Sequence, residues 1–352
     1  MSFETGKRTD FKPKVEVLED GREKFTIRVK RPEARSRQVK DAKTRIEQTK
    51  DGYLHTQDIV DYKKLMGSLG SPESLEMGEP KLEISFVRHL EHTDNIVPEE
   101  AKEAFKPRVK KMLDEMAIDD KTKVFIVTTE VGQFQDTAEG LRKDRRTEQT
   151  AEVIREELKN RGIEYAFNNI DGGGTEGITP LVQNNFAEMP VDGIKLAEVK
   201  KQMAANKEAK QAGEALLYPD AIKLPPFVQA SEAKNVQELE EQTGVQEVAS
   251  ATVARNLKSF DHIEHYFLQG EGKDIIEKGG KVVVIVVAHG QMGTDMSEAL
   301  NESTNKKFPI LIASNGAYWR VKVGEDESGE KVEEFVFETG KKSTGLFKPM
   351  RS

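Results

Sequence analysis

The chain has 352 residues, more than a single core usually needs, so one domain of ordinary to large size plus extensions is expected. Hydrophobic residues make up 36% and charged residues 33%, so parts of the chain are too polar to pack. The net charge of −8 argues against a global nucleic-acid footprint. The absence of cysteine excludes disulfides, thiolate metal sites and cysteine nucleophiles.

A cysteine-free chain fits a reducing compartment. The longest apolar run, Val282 to Ala288, is too short to cross a bilayer, and residues 1–14 hold no apolar signal-peptide core. A cytoplasmic protein with no membrane partner is the expectation.

In chain order, residues 1–80 read as an N-terminal extension. Residues 14–29 predict a hairpin, two alternating segments around Asp20-Gly21. Residues 31–50 are densely charged, a solvated helix or disorder, with a protein-partner segment as the less favoured reading. Gly67 to Pro80, rich in Gly, Ser, Pro and Glu, reads as a linker, which places the main domain at 81–340.

Leu82 to Val87 predict a strand that ends in Arg88-His89. A helix is expected over 107–117, since Val109, Met112, Leu113 and Met116 fall at i, i+3, i+4 and i+7. Lys123 to Thr128 is a second strand and 131–145 a long loop. Arg146 to Asn160 is a helix with Ala151, Ile154 and Leu158 on one face and Gly162 just past its end. Glu164 to Phe167 is a short strand, and Asp171 to Gly177 a glycine-rich turn.

A helical insertion is expected around 186–269, covering the mouth of the pocket. The strand at Val282 to Ala288 delivers His289-Gly290, followed by a helix from about Gly293 to Glu302 and a strand at Pro309 to Ile312. Ala317 to Val323 and Lys331 to Glu338 form a hairpin, and 341–352 is a disordered tail. Strands alternating with helices argue an α/β fold, a mainly parallel sheet with helices on both faces.

Two of these strands end in histidine, and strand ends are where ligands bind in open α/β sheets. A neutral imidazole attacks phosphorus without first losing a proton, and an arginine fork matches phosphoryl oxygens. The string Arg88-His89-Leu90-Glu91-His92-Thr93-Asp94-Asn95 resembles the Arg-His-Gly-Glu…Asn signature of the histidine phosphatase superfamily, also called phosphoglycerate mutase-like. Arg88, His89, Glu91 and Asn95 fall on its places, and Leu90 stands where the signature has glycine. Arg146-Thr147-Glu148-Gln149-Thr150-Ala151 resembles the family's Arg-x-x-Gln-Thr-Ala. It fits better than Gln133 to Ala138, which has glutamine in the arginine's place. The strand ending in His289-Gly290 resembles the last family motif. The likeness covers about residues 82–312.

The resemblance implies a phosphoglycerate mutase-like fold and a phosphatase acting on a small phosphorylated substrate through a phosphohistidine on His89. Arg88, Arg146 and His289 would hold the phosphoryl oxygens, with Asn95, Glu91 and Gly290 lining the substrate site. No metal or cofactor is required. The general acid is open between Asp171 and Glu176, because a strict alignment places Asn169 at that position. Leu90 and the ambiguous acid leave a second reading, a catalytically weak member that binds phosphorylated ligands or protein partners. A phosphomutase remains a variant of the first reading. A metal-dependent hydrolase using His89, His92 or His262 is the least favoured.

Overall fold

The computed structural model describes residues 13–19, 21–32, 44–49, 52–57, 69, 71–72, 75–92, 96–128, 135–137, 140–142, 146–168, 201, 204–205, 207–215, 249–270, 272–304, 307–339 and 348–349. Eight strands carry the main sheet: β1 (Lys14–Val17), β2 (Glu23–Lys30), β3 (Leu82–Arg88), β4 (Thr122–Thr128), β5 (Tyr165–Asn168), β6 (Lys281–Ala288), β7 (Tyr318–Glu325) and β8 (Lys331–Glu338). The helices are α1 (Glu99–Glu115), α2 (Arg146–Asn160), α3 (Ala249–Gln269), α4 (Lys273–Glu277) and α5 (Gly290–Ser303). The sheet runs β1-β2-β8-β7-β3-β6-β4-β5, and the two-residue strand Ser71–Pro72 pairs with β2 as its ninth member.

The sheet is mixed. β3, β6, β4 and β5 are parallel neighbours, whereas β7 joins β3 antiparallel and β8, β2 and β1 continue antiparallel. The parallel half follows from the sequence: β6 is apolar at nearly every position because both of its faces are covered. Its Val282, Val284 and Val286 enter the core shared with α3 and α5, and Val283, Ile285 and Val287 enter the core shared with α1 and α2.

The antiparallel half is held by two rows of opposed side chains. On the α3/α5 face, Phe25, Phe337, Trp319 and Phe86 sit directly opposite one another across β2, β8, β7 and β3. Phe86 stacks on Trp319 at 4.4 Å, and Trp319 on Phe337 at 5.2 Å. Such cross-strand aromatic pairs contribute roughly 0.5–1.5 kcal/mol each beyond their buried area. On the other face, the same strands align Arg28, Glu334, Lys322 and Glu83, alternating in charge. Glu334 receives Arg28 Nε at 2.6 Å and Lys322 Nζ at 3.1 Å. Arg320, 2% exposed, bridges Glu83 at 3.1 Å and Glu115 of α1 at 3.0 Å.

Several expectations change. Part of the 1–80 span is built into the sheet, with Phe25, Ile27 and Val29 in the core. The Asp-Gly signal shows the local hairpin, but nothing local shows that β2 pairs with a strand 306 residues away. In the charged 31–50 segment, Thr44–Thr49 is a strand paired with Gly52–Gln57, and residues 33–43 lie outside the described residues. A short ribbon, Gln135–Thr137 with Gly140–Arg142, lies in the expected 131–145 loop. The last part of the expected 186–269 insertion is α3, whose Val253, Leu257, Phe260, Ile263 and Phe267 belong to the core. Lys348–Pro349, in the expected tail, pairs with Leu311–Ile312.

α1 begins at Glu99 rather than near Pro107. The proline is inside the helix but exposed, so water can satisfy the carbonyl it frees. No helix among the described residues is long and apolar enough to cross a membrane.

Replacing Arg320 with alanine would leave Glu83, 1% exposed, with Lys281 at 3.5 Å as an ion partner, and should lower unfolding stability by about 2–4 kcal/mol in urea denaturation. Arg28→Ala breaks a pair whose arginine is 35% exposed and should cost under about 1 kcal/mol. Equal losses would contradict this ranking of the two ion pairs.

Candidate active site

The site begins with strand register. Ala288 pairs with Arg88 at the C-terminal ends of the parallel neighbours β6 and β3. The next residue on each strand is a histidine, and the His89 amide donates to the Ala288 carbonyl at 2.9 Å. The two rings therefore emerge one strand spacing apart, with centroids 5.2 Å from each other. Both residues are buried, at 5% and 6% exposure. His289 is extended and forms the N-cap of α5, so the positive end of that helix lies at the site.

Arg88 leaves the tip of β3 and donates from Nη1 to the Ala313 carbonyl at 2.5 Å. Its side chain crosses the start of α5 at Gly290, where an added Cβ would lie 2.6, 2.7 and 2.8 Å from Arg88 Cδ, Nε and Cζ. Glycine at 290 thus leaves room for Arg88 to lie in this position.

Arg146 is the first residue of α2, a helix that fills 146–160 as its apolar spacing predicts. Its first turn is tied to the segment after β3 by side chains of the same motif. The Leu90 amide donates to Thr150 Oγ1 at 3.0 Å, and the Val97 amide donates to Gln149 Oε1 at 2.9 Å. Arg146, Gln149 and Thr150 stand at i, i+3 and i+4, one helix face. Gln149 and Thr150 were legible as motif letters, but their fastening role was not. His92 enters here too, with Arg146 Nη1 2.7 Å from its Nε2 and its ring 5.5 Å from that of His89.

Leu90 takes the glycine place without strain. Among the described residues Ala117 is the one non-glycine residue with positive φ, so Leu90 is not in a left-handed turn. Its side chain is 4% exposed and belongs to the core cluster of Phe105 and Val109.

His89 is held well below the ordinary histidine range. Burial is the main cause, followed by the positive charge of His289 and of Arg146, with Arg88 adding in the same direction. The Leu90 carbonyl, 2.8 Å from His89 Nδ1, acts in the opposite sense. Being an acceptor only, that carbonyl requires the ring proton on Nδ1 and leaves the lone pair on Nε2.

The fold therefore gathers His89, His289, Arg88 and Arg146. Glu91 is exposed. Asn95, Asp171 and Glu176 lie outside the described residues. Among the described residues no group of three or more His, Asp or Glu could hold a metal ion. His265 is exposed on α3.

No family model and no curated protein matches the sequence. Similar solved structures include a mycobacterial glucosyl-3-phosphoglycerate phosphatase, at 11% identity and a TM-score of 0.35, over 71% of this chain and 95% of that one. A phosphoglycerate mutase from Bacillus anthracis aligns at 12% identity and a TM-score of 0.33, over 77% of this chain and 92% of that one. An alpha-ribazole phosphatase from Shigella flexneri aligns at 12% identity and a TM-score of 0.33, over 75% and 98%. Likenesses of this size carry no weight for activity, which must be argued from the side chains.

In an NMR titration, the His89 ring should take up its proton at a pH well below that of an ordinary histidine. His289→Asn removes a positive neighbour and should raise the His89 pKa, yet leave it below 6.5 because burial is the larger cause. A wild-type His89 that titrates at or above 6.5 would contradict the described environment.

Proposed function

We propose that this chain is a phosphoric-monoester hydrolase acting through a phosphohistidine on His89. The observation that carries the reading is the convergence of a buried neutral imidazole, a second imidazole and two guanidinium groups on adjacent strand and helix ends.

The chemistry follows from the atoms present. His89 Nε2 holds a lone pair and needs no base, since burial and the neighbouring cations keep the ring unprotonated. Nε2 attacks phosphorus, the N–P bond forms, and the ester P–O bond breaks with its electron pair leaving on the alkoxide. Arg88, Arg146 and His289 hold the three non-bridging oxygens, and charge shifts toward them without reorganisation. The alkoxide takes a proton from a carboxyl, with Asp171 and Glu176 as the candidates. Water then attacks phosphorus and gives its proton to the same carboxylate, the N–P bond breaks with its electron pair returning to Nε2, and inorganic phosphate leaves. The substrate is a small phosphorylated molecule. The 81–340 span would carry the catalytic residues, on a sheet that β2 completes, and whatever lies over its mouth would set specificity.

Turnover of a generic aryl phosphate at mildly acidic pH should resist chelators and be blocked by vanadate. His89→Ala should abolish turnover, and Arg146→Ala should lower kcat/KM by about 10²–10³. Full activity in His89→Ala would exclude this mechanism. Vanadate binding without wild-type turnover would instead favour a phosphate-binding protein that has lost catalysis.

A further inference from the structure

His92 has no part in the mechanism above, yet it touches the machinery. It follows Glu91 on the segment leaving β3, and that segment is fixed on both sides of it. The Leu90 amide is bound by Thr150 and the Val97 amide by Gln149, both from the first turn of α2. Within that frame Arg146 Nη1 lies 2.7 Å from His92 Nε2. A guanidinium is always charged and only donates. His92 Nε2 must therefore be the acceptor, and the ring is neutral with its proton on Nδ1.

We propose that His92 is a positioning residue for Arg146, holding the second phosphate clamp toward the His89 ring only while His92 is neutral. This rests on the phosphatase reading and adds to it a control of anion affinity. Arginine has several rotatable bonds, and its place in α2 fixes its backbone. An Nη1–H bound to the His92 ring removes part of that freedom before the anion arrives, so less is lost on binding. Protonation of His92 replaces the lone pair by a second donor. The contact then becomes repulsive, and this hold on the guanidinium is lost. Among the described residues, the charged and titratable groups set against His92 include Arg146, from α2, and His89, just past β3. His289 and Arg88 add to the positive set around His89. Anion affinity on the acid side thus depends on whether this ring keeps its lone pair.

The test uses the full chain, with orthovanadate and inorganic phosphate as probes in titration calorimetry and an aryl phosphate for kinetics. His92→Ala should weaken vanadate binding and raise KM by about tenfold, the worth of one charge-assisted hydrogen bond, with a smaller change in kcat. His92→Gln, whose amide oxygen can accept from Arg146, should restore most of that affinity and remove the part of the acid limb that His92 controls. Because His92 acts through Arg146, His92→Ala should cost nothing further in an Arg146→Ala background. Nitrogen-15 NMR of the wild type with phosphate at neutral pH should show His92 Nε2 unprotonated. Additive losses in the double variant, a doubly protonated His92, or normal vanadate binding by His92→Ala alongside weakened Arg146→Ala would each overturn the proposal and leave the phosphatase reading intact. A wild type that neither binds vanadate nor turns over would instead overturn the phosphatase reading, and this role with it.

Discussion

The site depends on one backbone pairing. β3 and β6 lie side by side and parallel from Val282↔Leu82 to Ala288↔Arg88. A parallel pair in register delivers both chain ends at the same edge of the sheet. Two histidines far apart in sequence thereby become neighbours without any direct attraction between their rings. Their closeness is in fact unfavourable for charge on His89, since His289 opposes its protonation. The buried apolar side chains of the two strands, mostly valine in β6, supply the free energy that keeps them together.

Around that pair, the second layer is built from hydrogen bonds rather than apolar contact. Thr150 and Gln149 use side-chain oxygens to satisfy amides of the irregular segment after β3. The Ala313 carbonyl orients Arg88. The amides of Leu90 and Val97, both buried residues, must find partners, and here the same turn of helix that carries a clamp supplies them. Support and function are thus coupled at α2: a change that loosens the helix start also loosens the loop beyond His89.

Much of this was legible in the amino-acid order because it is local. Strand periodicity at 82–87 and 282–288, the helix face of 146–160 and the two strand-terminal histidines need only short windows. Leu90 could not be judged from its letter, since its fit depends on a cavity beside Phe105 that only the assembled core defines. The direction of β7 and β8 and the recruitment of β2 are long-range pairings with no local signature. His92 was visible as a letter, but its contact with Arg146 arises from α2 folding back onto the segment after β3. Asp171, Glu176 and Asn95 stand outside the described residues, and the source of the leaving-group proton stays a proposal.

The aromatic row across β2, β8, β7 and β3 also bears on biosynthesis. Phe25 leaves the ribosome well before its opposite number Phe337. At about 5–20 residues per second, roughly 15–60 s separate the two. During that interval Phe25, Ile27 and Val29 have no β8 to pair with, so closure of the sheet waits for β8 to emerge. Any holding of this apolar edge by a chaperone would fall in that window.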